Sequence, residues 1–462
     1  MVLTSTNTIC ALSTPAGGAI GVIRISGSDA IVIAERIFVS NSRKVLSERK
    51  AQTLHYGRIV NPQSKEVIDD VIIALFKAPH SYTGENSVEI SCHGSRYIIS
   101  KLLELLIKEG CVQAQPGEFT MRAFMNGKMD LSQAEAVADL IASTNQASHK
   151  MAISQLRGNF SNELGALRNE LLNITSLLEL EMDFSDHEEL EFANRTELLE
   201  LAQKIDTKIV SLFRSFETGR AIKQGVPVAI VGKTNVGKST LLNSLLHEDK
   251  AIVSDIHGTT RDVIEDTIDI HGIIFRFIDT AGIRSTTDEI ETLGIERTYQ
   301  KMNEAQIIIW LMDTAPEAEE EEIMHQHFAD KRVIQVYNKA DLQNTERKAN
   351  GIVSTSTSSP LHISAKMGIN ITELEEAIYQ AANIPEITEN DVIITNIRHY
   401  EALTKAHDSI SRVIEGLQTQ LSSDLLSEEL RICLEQLADI TGGQITTPEV
   451  LQNIFKHFCI GK

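Results

Sequence analysis

Apolar positions along the chain fall into three rhythms. Up to about residue 125, short β-branched runs alternate with turns; 19–25, 71–76 and 87–92 predict strands, and 29–38 and 97–109 carry helical spacing. From Leu131 the spacing predicts long helix. Ile153, Leu156, Phe160, Leu164, Leu167, Leu171, Ile174 and Leu178 step by threes and fours, as a buried stripe does. The stripe resumes at Leu198, Ala202, Ile205, Ile209, Leu212 and Phe216 and stops near Gly225. Beyond Pro385 it returns at Leu403, Ala406, Ile410, Val413 and Leu417, then at Leu430, Leu434 and Leu437. Neither helical stretch has an obvious core of its own. Together they predict one helical domain interrupted by an α/β segment whose ends lie close together.

The interrupting segment opens on VPVAIVGKTNVGKST, from Val226 to Thr240. An apolar strand-like run, a G-x-x-x-x-G-K-S loop and a helix-like LLNSLL follow one another, which is the context a phosphate-binding loop needs. Glycines let backbone N–H groups wrap a phosphate chain. Lys238 reaches the terminal phosphates, and the Ser239 hydroxyl is placed for Mg²⁺. Four further motifs follow in order: Gly258-Thr-Thr-Arg-Asp262, Asp279-Thr-Ala-Gly282, Asn338-Lys-Ala-Asp341 and Ser364-Ala-Lys366. The last three are predicted at carboxyl ends of strands, where open α/β sheets bind ligands. Asp341 can accept together from the adjacent N1–H and N2–H of guanine. Adenine would set a lone pair against that carboxylate, leaving a pocket group unpaired at a cost on the order of 1–3 kcal/mol. The base is expected to be guanine, and the ordered motifs resemble the translation-associated P-loop GTPases.

Hydrolysis needs a group that orients water and a charge between the β- and γ-phosphates. Many P-loop GTPases place glutamine directly after D-x-x-G; here Ile283 stands there and cannot orient water. Glu291 is the candidate, against an ordinary role as a first-turn acid of the following helix. For the charge, Arg261 or Arg284 could act as an arginine finger, or a monovalent cation could be held by Asn235 and switch-segment carbonyls.

Composition narrows the field. A chain of 462 residues, 42% hydrophobic, predicts two to four soluble domains, with no apolar run of membrane-spanning length and no secretory pattern at its start. The formal net charge of −21 argues against a broad phosphate footprint, so RNA contact is expected to be local or made through a partner. Five scattered cysteines without a C-x-x-C pair read as reduced thiols in a cytoplasmic protein. The acidic run from Glu179 to Glu191 lacks a companion histidine pattern and reads as a solvated loop or helix end. Ser354–Ser359 is low-complexity and reads as a loop. In the first domain, the segment from Thr14 to Arg24, the segment Ser81-Tyr-Thr-Gly-Glu85-Asn86 and the segment Asn126-Gly-Lys128-Met-Asp130 stand out, although spacing alone favours glycine turns with exposed charges.

Over essentially its full length the chain resembles the MnmE (TrmE) family of tRNA-modifying GTPases, within the TrmE-Era-EngA-EngB-Septin-like class of P-loop proteins. The likeness is carried by GTPase motifs inside a split helical domain, by SDIHGTTRD, by the three N-terminal segments and by the ending Phe458-Cys-Ile-Gly-Lys462. The implied fold is multidomain α/β plus α. It comprises an N-terminal α/β folate-binding and dimerisation domain (1–125), a discontinuous helical domain (126–222 and 385–462) and an inserted Ras-like P-loop GTPase domain with a mostly parallel six-stranded sheet (223–384).

The resemblance also implies site residues. GTP would meet Asn235, Val236, Gly237, Lys238, Ser239 and Thr240; Ser254, Asp255, Ile256, His257, Gly258, Thr259 and Thr260; Asp279, Thr280, Ala281 and Gly282; Asn338, Lys339, Ala340 and Asp341; and Ser364, Ala365 and Lys366. Ser239 and Thr260 would hold Mg²⁺, and Asn235, Ser254, Ile256 and Thr259 would hold K⁺ in place of an arginine finger. Glu291 would orient the water. Arg24, Glu85, Lys128 and Lys462 would bind a 5-formyl- or 5,10-methylene-tetrahydrofolate, with Glu85 reading the pterin's amino group and ring N–H. The implied partners are a second copy docked through the N-terminal domain, tRNA, and a flavoprotein of the MnmG (GidA) type bringing FAD and NADH. The expected product is (carboxymethyl)aminomethyluridine, formed at C5 of the wobble uridine. Cys459 could be a catalytic thiol or a partly buried helix-terminal one; lysine in the last position makes a prenylation box a poor fit. The rival reading is a non-catalytic GTPase switch for ribosome assembly or stress signalling. Its N-terminal domain would be a docking module without need of the folate set.

Overall fold

The structure is a computed structural model that describes residues 7–40, 44–183, 195–250, 266–278, 304–316, 321–322, 331–342, 360–385, 387–388, 391–443, 451, 454–456 and 458–461. Two compact units form. One comprises Met1–Ala142, Gln155–Ile209 and Ala402–Lys462, the other Ser143–Ser154 and Val210–Glu401.

The first unit is built on β1 (Ile9–Leu12), β2 (Ile20–Ser26), β3 (Phe38–Val39), β4 (Thr53–Val60), β5 (Val67–Phe76), β6 (Ser87–His93) and β7 (Val112–Gln113), ordered β3-β4-β5-β6-β2-β1-β7. Only the β1–β7 pair is parallel. Alternation along the strands turns Ile23, Ile25, Ile73, Leu75, Val88 and Ile90 to one face. There they bury against Ile33 and Ile37 of α1 (Ala30–Ile37) and Leu102 and Leu106 of α2 (Arg96–Lys108). Each such side chain contributes roughly 1.5–3 kcal/mol, and truncating Ile73 or Leu102 to alanine costs about 2–5 kcal/mol. The intervening residues Arg24 and Glu89, paired in register across β2 and β6, stand on the other face. Strand β4 escaped the sequence reading because its apolar pattern is inverted. Leu54 and Tyr56 are exposed, while the inward positions carry Gly57 and Ile59.

The long helix expected from Leu131 is three helices: Leu131–Ala142, Gln146–Leu156 and Asn159–Asp183. Gly158 takes a φ of +87° and ends the second. The freed Leu156 carbonyl accepts from Gln133 Nε2 at 3.0 Å. Ile153 and Leu156 are consequently only half-buried, whereas Phe160, Leu164, Leu167, Leu171, Ile174 and Leu178 form the buried stripe. Glu179 pairs with Arg431 and Glu181 accepts from Ser423, so this part of the acidic run is a helix end tied to the helix Ser423–Thr441. On that last helix Cys433 is buried and Leu434 half-buried, a small rotation from the predicted stripe.

The second unit holds β8 (Val226–Val231), β9 (Asp266–Ile270), β10 (Ile273–Phe277), β11 (Ile307–Met312), β12 (Arg332–Tyr337) and β13 (Leu361–His362), ordered β13-β12-β11-β8-β10-β9. All pairs are parallel except β9–β10. Strand β11, IIIWLM, is buried on both faces, as a central parallel strand must be. This is the mostly parallel six-stranded sheet expected for the inserted α/β segment. Among the described residues no helix is long and apolar enough to cross a membrane.

Candidate functional site

In the second unit the chain leaves β8 into the phosphate loop and enters the helix Lys238–Lys250. Asn235 holds a left-handed φ of +63°, the turn that brings the loop's N–H groups round. Lys238 Nζ donates to the carbonyls of Gly232 at 2.6 Å and Lys233 at 2.9 Å, and its burial lowers the ammonium below its ordinary value. A desolvated cation that, among the described residues, is cradled by neutral carbonyls is suited to a polyanion, which supplies negative charge. A Cβ on Gly237 would stand 2.4 Å from Asn338 Nδ2, so the loop and the N-K-A-D segment touch with no room to spare.

Asn338 follows β12 and is nearly fully buried. Its Nδ2 donates to Val236 O at 2.8 Å, and its Oδ1 accepts from Ala365 N at 3.0 Å. Asn338 therefore ties the phosphate loop to the Ser364-Ala-Lys366 segment. Lys339, at φ +65°, pairs with Asp313 at 2.8 Å. That hydrogen bond holds the Asp313 carboxyl below its usual range. Exposed Asp341 accepts at Oδ1 from the buried Ser364 hydroxyl, 2.6 Å away, which fixes how the carboxylate faces. Thr240 and Lys366 are exposed, and Ser239 is half-buried at the start of the helix. Three of the sequence segments thus sit at the carboxyl ends of β8, β12 and β13. Asp313 was missed, although it directly follows β11 and the same strand-end rule points to it.

Ser254, Asp255, Ile256, His257, Gly258, Thr259, Thr260, Asp279, Thr280, Ala281, Gly282, Glu291 and the candidate fingers Arg261 and Arg284 lie outside the described residues. Among the described residues no cluster of three His, Cys, Asp or Glu side chains could hold a metal ion. The Mg²⁺ and K⁺ ligands expected here are instead a hydroxyl, an amide and carbonyls.

The first unit gathers a second polar cluster. Arg24 pairs with Glu89 through Nη2 at 2.8 Å and Nε at 2.9 Å, its guanidinium 5.3 Å from the Tyr82 ring and 5.7 Å from the Phe119 ring. Burial raises the Tyr82 phenol, whose hydroxyl is bonded to Thr120 at 2.8 Å. Glu85 accepts from Ser26 Oγ at 2.7 Å and from Arg122. Lys128 Nζ donates to Pro79 O at 3.0 Å, and its chain runs beside Gly84. Arg24, Glu85 and Lys128 thus all border the 79–85 loop, with Asn126 Nδ2 donating to Thr83 O at 2.7 Å. A carboxylate, two cations and the exposed Tyr82 ring here could meet a flat heterocycle carrying acidic groups, with Phe119 fully buried behind Arg24. Arg122, Glu89 and Phe119 were not anticipated, because no spacing links them to the loop.

Lys462 lies outside the described residues, but the tail before it is anchored. Ser13 Oγ donates to Gly461 O at 3.0 Å, and Gly117 N donates to Cys459 O at 3.3 Å. Cys459 is exposed and outside a helix, which corrects the partly buried helix-terminal thiol. All five cysteines are free, the other four buried, and burial pushes the Cys433 thiol up to about 12.

A family model described as the MnmE helical domain matches residues 131–459, and one described as the GTP-binding protein TrmE N-terminus matches residues 8–128. The tRNA modification GTPase MnmE of Phocaeicola vulgatus is 55% identical over 500 residues, covering 100% of both chains. The protein of that name from Bacteroides fragilis is 56% identical over 467 residues, and that from Flavobacterium johnsoniae 49% over 466, each alignment covering 99% of both chains. With both matched segments, the full-length identity and the phosphate loop and N-K-A-D geometry pointing the same way, the chain belongs to the MnmE family of tRNA modification GTPases.

Proposed function

We propose that this chain is a K⁺-activated GTP hydrolase. With a flavoprotein partner of the MnmG type, it would modify C5 of the tRNA wobble uridine using a one-carbon unit from tetrahydrofolate. The observation that carries the reading is the coexistence of two separately built polar sites in one chain. One brings Lys238 and the Asp341–Ser364 acceptor to the same edge of a parallel sheet; the other gathers the Arg24–Glu89 and Arg122–Glu85 ion pairs beside the Tyr82 ring. A docking module would have no use for the second.

In the nucleotide unit, Lys238 would hold the terminal phosphates and Asp341, oriented by Ser364, would accept from the guanine edge. Asn338 would keep base and phosphate sites at fixed separation. Ser239 and Thr260 would hold Mg²⁺, and Asn235, Ser254, Ile256 and Thr259 would hold K⁺. The two cations would supply the positive charge that phosphoryl transfer requires. Glu291 would orient the attacking water. In the first unit, Glu85 would accept from the pterin's amino and ring N–H groups while Arg24, Lys128 and Lys462 face its oxygen and carboxylates. FAD and NADH would enter through the partner, which would also carry most of the tRNA contact in keeping with the net charge of −21. Exposed Leu54, Tyr56 and Ile72 on one face of β4 and β5 support a second copy docking through this unit.

GTP turnover is expected to be much faster in KCl than in NaCl, with Asn235→Ala erasing the difference. Equal rates in both salts would return the charge to Arg261 or Arg284. Glu291→Ala should slow hydrolysis at unchanged GTP affinity. Calorimetric titration with 5-formyltetrahydrofolate tests the other site: the intact protein should bind, Glu85→Ala should not, and silence from the intact protein would leave the switch reading standing.

A further inference from the structure

Arg122 sits on α3 (Glu118–Met125) with only 8% of its surface exposed. Its Nη2 donates to Glu118 Oε1 at 2.9 Å, one helical turn back. Its Nη1 donates to Glu85 Oε1 at 3.3 Å and Oε2 at 3.2 Å. Glu85 Oε2 is also held by Ser26 Oγ at 2.7 Å, and Ser26 is itself buried against Thr83 Oγ1 at 2.6 Å. The Glu85 backbone N–H donates to that same Thr83 hydroxyl at 3.2 Å. Three elements, β2, the 81–86 loop and α3, therefore converge on one carboxylate.

A guanidinium this buried is expensive to keep charged unless carboxylates compensate it. Glu118 alone, on the same helix, would serve that purpose. The second carboxylate comes instead from the loop whose residue faces the candidate ligand. The planar fork of arginine can hold two carboxylates at once, whereas a lysine offers a single point charge.

We infer that Arg122 is a positioning residue for ligand recognition by Glu85. It fixes the carboxylate's orientation and offsets its negative charge in a cluster that must also accept an acidic ligand. The inference rests on the folate reading above. Glu85 would then meet the pterin with its acceptor oxygens already aimed, so that no ordering cost is charged to binding.

The test is a double-mutant cycle read by calorimetric titration of the full-length protein with 5-formyltetrahydrofolate. Arg122→Lys is expected to weaken binding about ten-fold, the scale of one charge-assisted hydrogen bond. Ser26→Ala, which removes the other donor, should act in the same direction by a smaller factor. In a Glu85→Gln background Arg122→Lys should cause no further loss, because it acts through the Glu85 carboxylate. Glu118→Gln should lower the melting temperature while leaving folate affinity within two-fold or so. Wild-type affinity in Arg122→Lys, or an equal loss in both backgrounds, would overturn this inference and leave the folate site intact. No binding by the unsubstituted protein would overturn the folate reading and the inference together.

Discussion

The two polar sites are built by opposite means. At the nucleotide site, each of several parallel-strand carboxyl ends delivers a short contiguous motif, and the Asn338 side chain ties these motifs through the main-chain groups of Val236 and Ala365. In the other unit, Arg24 comes from β2, Glu85 from a loop, Arg122 from α3 and Lys128 from the turn beyond it; Arg24 pairs with Glu89, Arg122 with Glu85, and Lys128 donates to the Pro79 carbonyl. The difference follows from what each site would have to hold. A phosphate chain gripped by backbone N–H groups needs one continuous stretch with a prescribed turn. A flat heterocycle with acidic substituents needs charges from several directions, which only tertiary packing supplies.

That contrast can be broken at defined points. The largest effect is expected from Asp341→Asn, which exchanges an acceptor for a donor. GTP affinity should fall about 10–100-fold, affinity for XTP should rise because its C2 oxygen accepts, and folate binding should be untouched. Unchanged GTP affinity in a fluorescent-nucleotide titration would sink the base assignment. Next comes Gly461→Ala, whose Cβ would stand 2.2 Å from Leu12 O at a φ of +94°. Displacing the tail should weaken folate binding several-fold and leave GTP affinity alone; an unaltered titration would detach the tail from that site. Ser364→Ala removes the hydroxyl that aims Asp341 and should cost about 0.5–1.5 kcal/mol of GTP affinity, with the rest of the nucleotide unit intact. The smallest perturbation is chemical. In the native protein Ellman's reagent should titrate a single thiol, which Cys459→Ser removes, because the other four are buried. A second fast-reacting thiol would contradict that packing.

Much of this arrangement was legible before any coordinates. The stripe from Phe160 to Leu178 is buried as its spacing requires, and a helix burying one stripe has little other choice. The motifs from Gly232 to Lys366 announced a parallel sheet with a guanine nucleotide site because the turn, the cation and the acceptor must stand in a fixed order. Reading the N-terminal segments needed the family resemblance, since glycine turns with flanking charges have many uses. Strand β4 was not legible: Leu54 and Tyr56 point away from the core, so hydrophobicity marks the wrong face. Nor was the break at Gly158, where one left-handed residue outweighs a helical stripe that continues across it.

The sequence by itself determined the elements whose apolar face is regular, the order of the nucleotide motifs and the base they suit, because local periodicity and contiguous turn chemistry are short-range properties. Only the tertiary structure decided that Arg122 bridges Glu118 and Glu85, that Asp313 takes Lys339 and that Ser364 aims Asp341. Apart from Glu118 and Arg122, which lie one helical turn apart, those pairings join residues whose spacing carries no signal. The buried Arg122 and Ser364 must find partners wherever packing places them, and the half-exposed Lys339 and Asp313 meet because adjacent strands end side by side.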